Sequence, residues 1–415
     1  MDKIILHIDM NSYFASVEQQ ANPFWRGKPL GVCAYLSPNG CIIASSREAK
    51  ALGIKTGFRV SDALKICPTI ELVENDPAKY RSTTEKIFTI LNRHSDDIEP
   101  YSIDEAFLDL TGHVPDLTAA AGLGRRIQQS IRDEVGSWLG ASVGISFTRF
   151  LAKLAGDMAD KGSVLVLRRD QLAEFYSSLE LTDIWGINHR LEARFHQLGI
   201  TTPLELMRYP VANLLQTMGK MGYYLWASLN GQDIGSVRRP AQPKSVGHSY
   251  CLPIKTTNLS YHKRILMKLC EKTGRRLRRL GLLACGLNLW WHEESDGGRG
   301  THRRLPVPIS GSWAIYQETL KLFAARNHRR RILQLSVAVF DLVPPSSQMA
   351  LFANPNHANK ISSAVDAIND RFGEYTVFWG EMWGSGKNAP DRIGFRKTLT
   401  PTFHDTSSVT LSPNP

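Results

Sequence analysis

The stretch YSIDEAF, residues 101–107, sets Asp104 and Glu105 side by side in a segment whose other members, from Ile98 through Phe107, Leu108 and Leu110, are of core type. Successive strand side chains point to opposite faces, so neighbouring acids serve one site only at a turn, a bulge or a strand end. Upstream, KIILHID (3–9) has the β-branched content of a short buried strand and delivers Asp9 at its C-terminal end. Pairing the two strands would bring three carboxylates together. Unneutralised acids repel, so such a site either raises a pKa or recruits a hard divalent cation, and Mg²⁺ favours a few carboxylates plus phosphates and water. Two such ions suit phosphoryl or nucleotidyl transfer. Spacing alone still favours solvated hairpin acids and a strand-capping Asp9.

Working outward, helical spacing covers 12–20, 78–93 and 117–138. Ile42 and Ile43 lie in a strand-like run, 98–110 is a hairpin, and the strand ASVGIS precedes the helix FLAKLAGDMA. Strands interleaved with helices predict an α/β or α+β first half. After about residue 168 short helices surround Gly-containing turns at 185–188, 198–203 and 218–222, which predicts a small helical domain. RRPAQPKS (238–245) is the linker candidate. From Val246 the order is strand (246–254), basic helix (260–280), strand (283–292), strand (303–309), helix (312–326), strand (332–343), a βαββαβ unit with one buried sheet face. Beyond Pro345 a helix-like stretch at 358–372 leads into a Gly-, Pro- and Ser-rich end expected to be partly disordered.

A length of 415 residues predicts two to four domains, and 42% apolar with 21% charged residues is a globular composition. The formal charge of +11 points to a polyanionic partner. It is concentrated in 263–279, where eight basic residues face the single acid Glu271. The stripe Leu266, Cys270, Thr273, Leu277 and Leu280 would bury one side of that helix and leave the arginines outward. Six cysteines without a C-x-x-C pair argue against zinc ligation and a disulfide framework, and fit a reducing cytoplasm. With no run of about 18 apolar residues, neither export nor membrane insertion is expected.

The wording around the acids decides between the two readings of them. HIDMNSYFASVE (7–18), AKALGIKTG (49–57), YSIDEAFLDLTG (101–112) and SVGIS..FLAKLAGDMA (142–159) together resemble the Y-family DNA polymerases of the bacterial UmuC/DinB type, in the same order over about residues 4–352. The resemblance implies an α+β multidomain right-hand polymerase: palm at 1–14 and 78–168, fingers at 15–77, a helix-hairpin-helix thumb at 169–237, linker at 238–245, a βαββαβ little finger at 246–345 and a tail at 346–415. It implies two Mg²⁺ ions held by Asp9, Asp104, Glu105 and the Met10 carbonyl, with the three acids catalytic. Phe14, preceded by Tyr13, matches the aromatic steric gate against a 2′-hydroxyl. Asn11, Ser12, Tyr13, Phe14, Ala44, Ser45, Arg47, Lys50 and Lys161 fall where the nucleotide is met. Asn11, Arg47 and Lys50 depart from the DinB pattern, Asn11 and Lys50 leaning toward UmuC, and Asp160-Lys161 replaces the family's Lys-Pro.

WGINHRLEARFHQLGITT resembles a helix-hairpin-helix that receives DNA phosphate near Gly186 and Asn188, the latter standing for the usual second glycine and tolerating the left-handed region. A purely structural αα-hairpin is the alternative. Arg275, Arg276, Arg278 and Arg279 would meet DNA, where counterion release rewards basic charge. Gln348, Leu351 and Phe352 of QMALF fit a peptide that docks on the bacterial sliding clamp. The function implied is error-prone, cytoplasmic translesion synthesis in the SOS response, using primer-template DNA and dNTP, with a UmuD-like subunit and a recombinase filament as further partners. The alternatives are a non-catalytic DNA- and clamp-binding scaffold, against which the intact acids argue, and a palm-bearing cyclase, against which the thumb-like and basic units argue.

Overall fold

The computed structural model describes residues 3–232, 234–238, 242–294, 297–324, 330–345 and 355–392. It divides after residue 241 into two compact units, the second spanning 242–391. Among the described residues no helix is long and apolar enough to cross a membrane.

The first unit runs β1 (Ile5–Met10), α1 (Tyr13–Ala21), β2 (Leu30–Cys33), β3 (Ile42–Ser45), α2 (Arg47–Ala51), α3 (Val60–Ile66), β4 (Glu71–Glu74), α4 (Pro77–Leu91), β5 (Ile98–Pro100), β6 (Glu105–Asp109), α5 (Leu117–Glu134), β7 (Ala141–Ser146), α6 (Arg149–Met158) and β8 (Val164–Val166). Short helices follow: α7 (Leu172–Ser177), α8 (His189–Gln197), α9 (Pro203–Arg208) and α10 (Val211–Leu229). The main sheet has the order β5-β6-β1-β7-β8, so β1 is central, antiparallel to both neighbours. A second sheet, β3-β2-β4, has its own small core of Ile42, Ile54 and Val60.

The sheet's two faces differ. Leu6, Ile8, Val143 and Ile145 point into the larger apolar core with α4 and α5. The opposite face carries His7, Gly144 and Phe107 in register, and α6 lies on it. That contact depends on Gly144, since a Cβ there would sit 2.0 Å from the Gly156 nitrogen and 2.1 Å from the Ala152 oxygen. Any side chain at 144 would lift α6 off the strand.

The helical region contains a break anticipated by its glycines: α10 is interrupted at Gly219 (φ 65°). Gly186 is left-handed (φ 100°), but Asn188 is not. It is extended (φ −99°, ψ 168°) because its Oδ1 accepts the Leu191 N–H as the N-cap of α8, a geometry that excludes the left-handed one expected for it.

The second unit runs β9 (Ser245–Thr256), α11 (Leu259–Arg279), β10 (Leu283–Glu293), β11 (Gly297–Ile309), α12 (Ser312–Ala324), β12 (Ile332–Val343) and α13 (Pro355–Phe372). Its antiparallel sheet has the order β11-β10-β12-β9. Leu287, Leu289, Leu335, Val337 and Val339 are buried. β11 begins six residues earlier than expected because its glycines lie beneath an indole: a Cβ at Gly298 would come 2.3 Å from Trp290.

One expectation is corrected in this unit: Arg275 and Arg278 of α11 do not face outward, although Arg279 remains exposed. Arg278 makes two bonds to Asp366 on α13 (2.6 and 2.8 Å), and Arg275 pairs with Asp370 (2.5 Å) and Glu374 (3.4 Å). Arg279 also reaches Asp370 (2.7 Å). Residues 373–391 are held against α11, since backbone carbonyls of that segment receive its lysines. Lys268 donates to Ser385 and Gly386 (both 2.9 Å), and Lys272 to Ala389 and Pro390 (both 3.1 Å). Trp379 stacks on Trp313 and donates to Glu271 (2.7 Å). Gln348, Leu351 and Phe352 lie outside the described residues.

The Arg278–Asp366 pair is largely buried, whereas Asp370 is half exposed. Asp366→Ala should therefore lower the unfolding free energy of this unit by about 3 kcal/mol, and Asp370→Ala by about 1 kcal/mol or less, in denaturant titrations of the whole chain. Equal effects would contradict a burial-dependent ion pair.

Candidate active site

Asp104 is the last residue of the turn after β5, and Glu105 is the first of β6. The adjacent acids thus meet at a strand start, where alternation does not yet separate them. Glu105 lies opposite Asp9 in the β1–β6 register, and the Met10 N–H donates to the Asp104 carbonyl (3.0 Å). Asp9, Asp104 and Glu105 therefore come together as their sequence pattern predicted.

Their charges are handled differently. Asp9 is pushed up to about 7, first by burial and then by Asp104 and Glu105. Asp104 is also raised, chiefly by burial, although Ser102 Oγ–H donates to its Oδ1. Burial would raise Glu105 as well, but its partners hold it below the usual range. His7 Nε2 lies 2.6 Å and Lys153 Nζ 2.5 Å from the same oxygen, Oε1. Lys153 also reaches Asp157 (3.2 Å), and these acids outweigh burial to raise its pKa. Burial pushes His7 down, so the neutral ring donates its Nε2–H to an ionised Glu105.

Among the described residues, no group of three or more His, Cys, Asp or Glu side chains is arranged to hold a metal ion as it stands. In this arrangement one oxygen of Glu105, Oε1, is engaged by His7 and Lys153, and one oxygen of Asp104, Oδ1, by Ser102. The donor chemistry nevertheless fits a hard divalent cation, because Asp9 and Asp104 are half-buried acids with raised pKa values that lack a full countercharge.

Ser12 takes the left-handed region (φ 49°) and turns the chain directly from β1 into α1. Tyr13, expected to meet the nucleotide, instead sends its hydroxyl into the core, where it donates to the Tyr80 carbonyl (2.9 Å) and lies 2.8 Å from Thr84 Oγ1. Phe14 is half-buried and stacks on Tyr80 (4.6 Å between centroids), which leaves it part of a face to offer. Asn11 is fixed by Ser142 Oγ–H on its Oδ1 (3.0 Å).

A cavity of about 710 Å³ adjoins Asn11 and is lined by Arg47, Arg132, Trp138, Gly140 and Lys161. Lys50, at the end of α2, donates to Ser12 Oγ (2.8 Å), and its pKa is lowered by desolvation and by Lys161. Arg47, Lys50 and Lys161 thus gather on one side of the β1–α1 turn, a concentration suited to phosphate oxygens. Ala44 and Ser45 end β3 just before α2, Ser45 with a buried Oγ that finds no partner. Gly186 and Asn188 are exposed at the start of α8, where free N–H groups point outward.

Sequence reasoning did not single out His7, Lys153, Asp157 or Arg132. The i, i+4 spacing of Lys153 and Asp157 inside FLAKLAGDMA was the available signal for two of them.

The elevated Asp9 gives a pH test on the ion-free protein. An acid whose folded pKa lies above its unfolded value binds its proton more tightly when folded, so stability falls as pH rises from about 4 to about 7. Asp9→Asn removes that loss. Its melting temperature should match the parent's near pH 4 and exceed it increasingly up to pH 7, with a ceiling of roughly 4 kcal/mol. A constant difference across that range would refute the assignment.

Two family models match the chain, the impB/mucB/samB family over residues 8–157 and the impB/mucB/samB family C-terminal domain over 243–351. A DNA polymerase IV of Listeria monocytogenes is 32% identical over 276 residues, 66% of this chain and 77% of the relative. One from Desulfatibacillum aliphaticivorans is 29% identical over 385 residues, 91% of this chain and 96% of the relative. A solved Y-family DNA polymerase chimera of Dbh and Dpo4 superposes with a TM-score of 0.75 at 25% identity, covering 82% of this chain and 100% of that one. With both models matched in order and three acids gathered at the end of the central strand, the chain belongs to the impB/mucB/samB family of Y-family DNA polymerases and is a DNA-directed DNA polymerase of the UmuC/DinB type.

Proposed function

We propose that this polymerase copies damaged templates in the SOS response by Mg²⁺-dependent nucleotidyl transfer centred on Asp9, Asp104 and Glu105. The observation that carries the proposal is the convergence of those acids, two of them with raised pKa, beside the cations Arg47, Lys50 and Lys161. Asp9, Asp104, Glu105 and the Met10 carbonyl would hold two ions. When bound, these would neutralise the acids and phosphates and lower the pKa of the primer 3′-hydroxyl. The hydroxyl attacks the α-phosphate, its bond to the β-phosphate bridge breaks, and pyrophosphate leaves. Arg47, Lys50 and Lys161 would receive the triphosphate oxygens, with Ala44 and Ser45 shaping the pocket. Phe14 would lie under the sugar and exclude a 2′-hydroxyl.

Primer-template DNA would be met at the exposed start of α8. In the second unit, the open sheet face suits DNA better than α11 does, because the guanidiniums of Arg275 and Arg278 are already engaged by acids. On that face Trp290 and Phe340 pack against Gly298 and Gly286, beside His302 and Arg304, whose ion pair with Asp341 (3.3 Å) is solvent-exposed and so easily exchanged for a phosphate. The sliding clamp, through Gln348, Leu351 and Phe352, and a UmuD-like subunit are proposed partners on sequence grounds alone.

Asp104→Ala or Glu105→Ala should reduce nucleotide incorporation at least about a thousandfold while primer-template affinity changes little. Near-parental extension by both would sink the metal assignment. Phe14→Ala should narrow the ratio of dNTP to rNTP incorporation efficiency, with Phe14→Leu intermediate. An unchanged ratio would remove Phe14 as the gate.

A further inference from the structure

The bond from His7 to Glu105 has no part in the chemistry described so far. His7 is fully buried on β1, and its ring packs against Phe107 with centroids 4.7 Å apart. Against its other edge lies α6 at Gly156, where a Cβ would come 2.5 Å from Nδ1. Nδ1 itself is buried without a hydrogen-bond partner. An apolar ring would fill this space without stranding a polar atom, so packing alone does not account for histidine. What histidine adds is the 2.6 Å bond from Nε2 to Glu105 Oε1.

We propose that His7 is a positioning residue, which with Lys153 fixes Oε1 of Glu105 so that Oε2 faces the divalent cation serving the primer hydroxyl. Among the described residues, both bonds to Glu105 fall on Oε1 and Oε2 receives none. The two donors do different things. The Lys153 ammonium is shared between Glu105 and Asp157, so it supplies charge to Oε1 while its own position answers to both acids. The imidazole is held on two sides and donates along one line, so it sets the carboxylate's rotation. Outer partners of metal-holding carboxylates act in this way, by restricting the orientations that compete with ion binding.

This inference rests on the metal assignment above, and its test separates the two. The full chain is bound to a primer-template ending in a dideoxynucleotide with the matching dNTP, and Mn²⁺ uptake is followed by electron paramagnetic resonance. In parallel, incorporation on an extendable primer yields kcat and the KM for dNTP. His7→Phe keeps the ring and removes the donor. It should weaken Mn²⁺ binding and lower kcat, each about tenfold, and leave the KM for dNTP within about twofold. His7→Gln, which can place an N–H near the Nε2 position, should restore both quantities to within about threefold of the parent. Gly156→Ala keeps His7 but displaces its ring, so it should reproduce the Mn²⁺ loss even if His7→Phe does not fold. Parental Mn²⁺ affinity in His7→Phe or Gly156→Ala overturns the proposal. So does a Gln variant as impaired as Phe, which would make the ring a matter of packing. If the parent itself neither takes up Mn²⁺ nor extends primers, the metal assignment falls, and the role of His7 falls with it.

Discussion

Three carboxylates gathered at the end of one central strand, Glu105 buried and Asp9 and Asp104 half-buried, must be neutralised, and the first unit is arranged around that requirement. The chain meets it unevenly. Glu105 is supplied with a counter-ion and a directional donor from within the protein, whereas Asp9 and Asp104 are left with raised pKa values and therefore with demand for an external cation. The supply to Glu105 depends on how closely α6 approaches the sheet. Lys153, itself paired with Asp157, reaches Glu105 because Gly144 and Gly156 let α6 lie close on the sheet. Two absent side chains thus determine where a cation sits.

The turn after β1 extends the same economy of placement. Ser12 reverses the chain in one left-handed step, so Asp9 and Phe14 are delivered five residues apart from a strand and a helix. Tyr13, between them, does the opposite of its neighbour. It enters the core and ties α1 to α4, while Thr84 continues the chain of bonds to the Ile103 carbonyl beside Asp104. One buried hydroxyl network therefore couples the position of the gate candidate to that of the acidic turn.

In the second unit, basic charge is consumed within the fold. α11 buries its apolar stripe on the sheet and turns much of its charged side toward α13 and the carbonyls that follow. α13 accordingly has reversed polarity: Ser362 and Asn369 are buried, whereas Ile361, Ile368 and Phe372 are exposed. A helix that docks on arginines must present acids and amides inward, and its apolar residues are left on the other side. A sum of charges over 263–279 reads as a polyanion-binding face, but much of that charge is already matched.

Period and composition were enough to locate the strand carrying Asp9, the hairpin carrying Asp104 and Glu105, the helix after ASVGIS, and the βαββαβ order, because each is set by local spacing of apolar residues. They were not enough to bring the three acids together: spacing by itself favoured solvated hairpin acids and a strand-capping Asp9, and it was the resemblance of the motifs around the acids that implied one shared site. Tertiary structure alone decided the rest. Which donors reach Glu105 depends on a helix more than forty residues further along the chain. That Tyr13 rather than Phe14 is drawn into the core depends on hydroxyl and carbonyl partners that only α4 supplies. Whether Arg278 meets DNA or Asp366 depends on a segment nearly ninety residues away. Charge pairing and hydrogen-bond direction act through space over a few ångströms, and sequence separation carries almost no information about which groups will lie within that range.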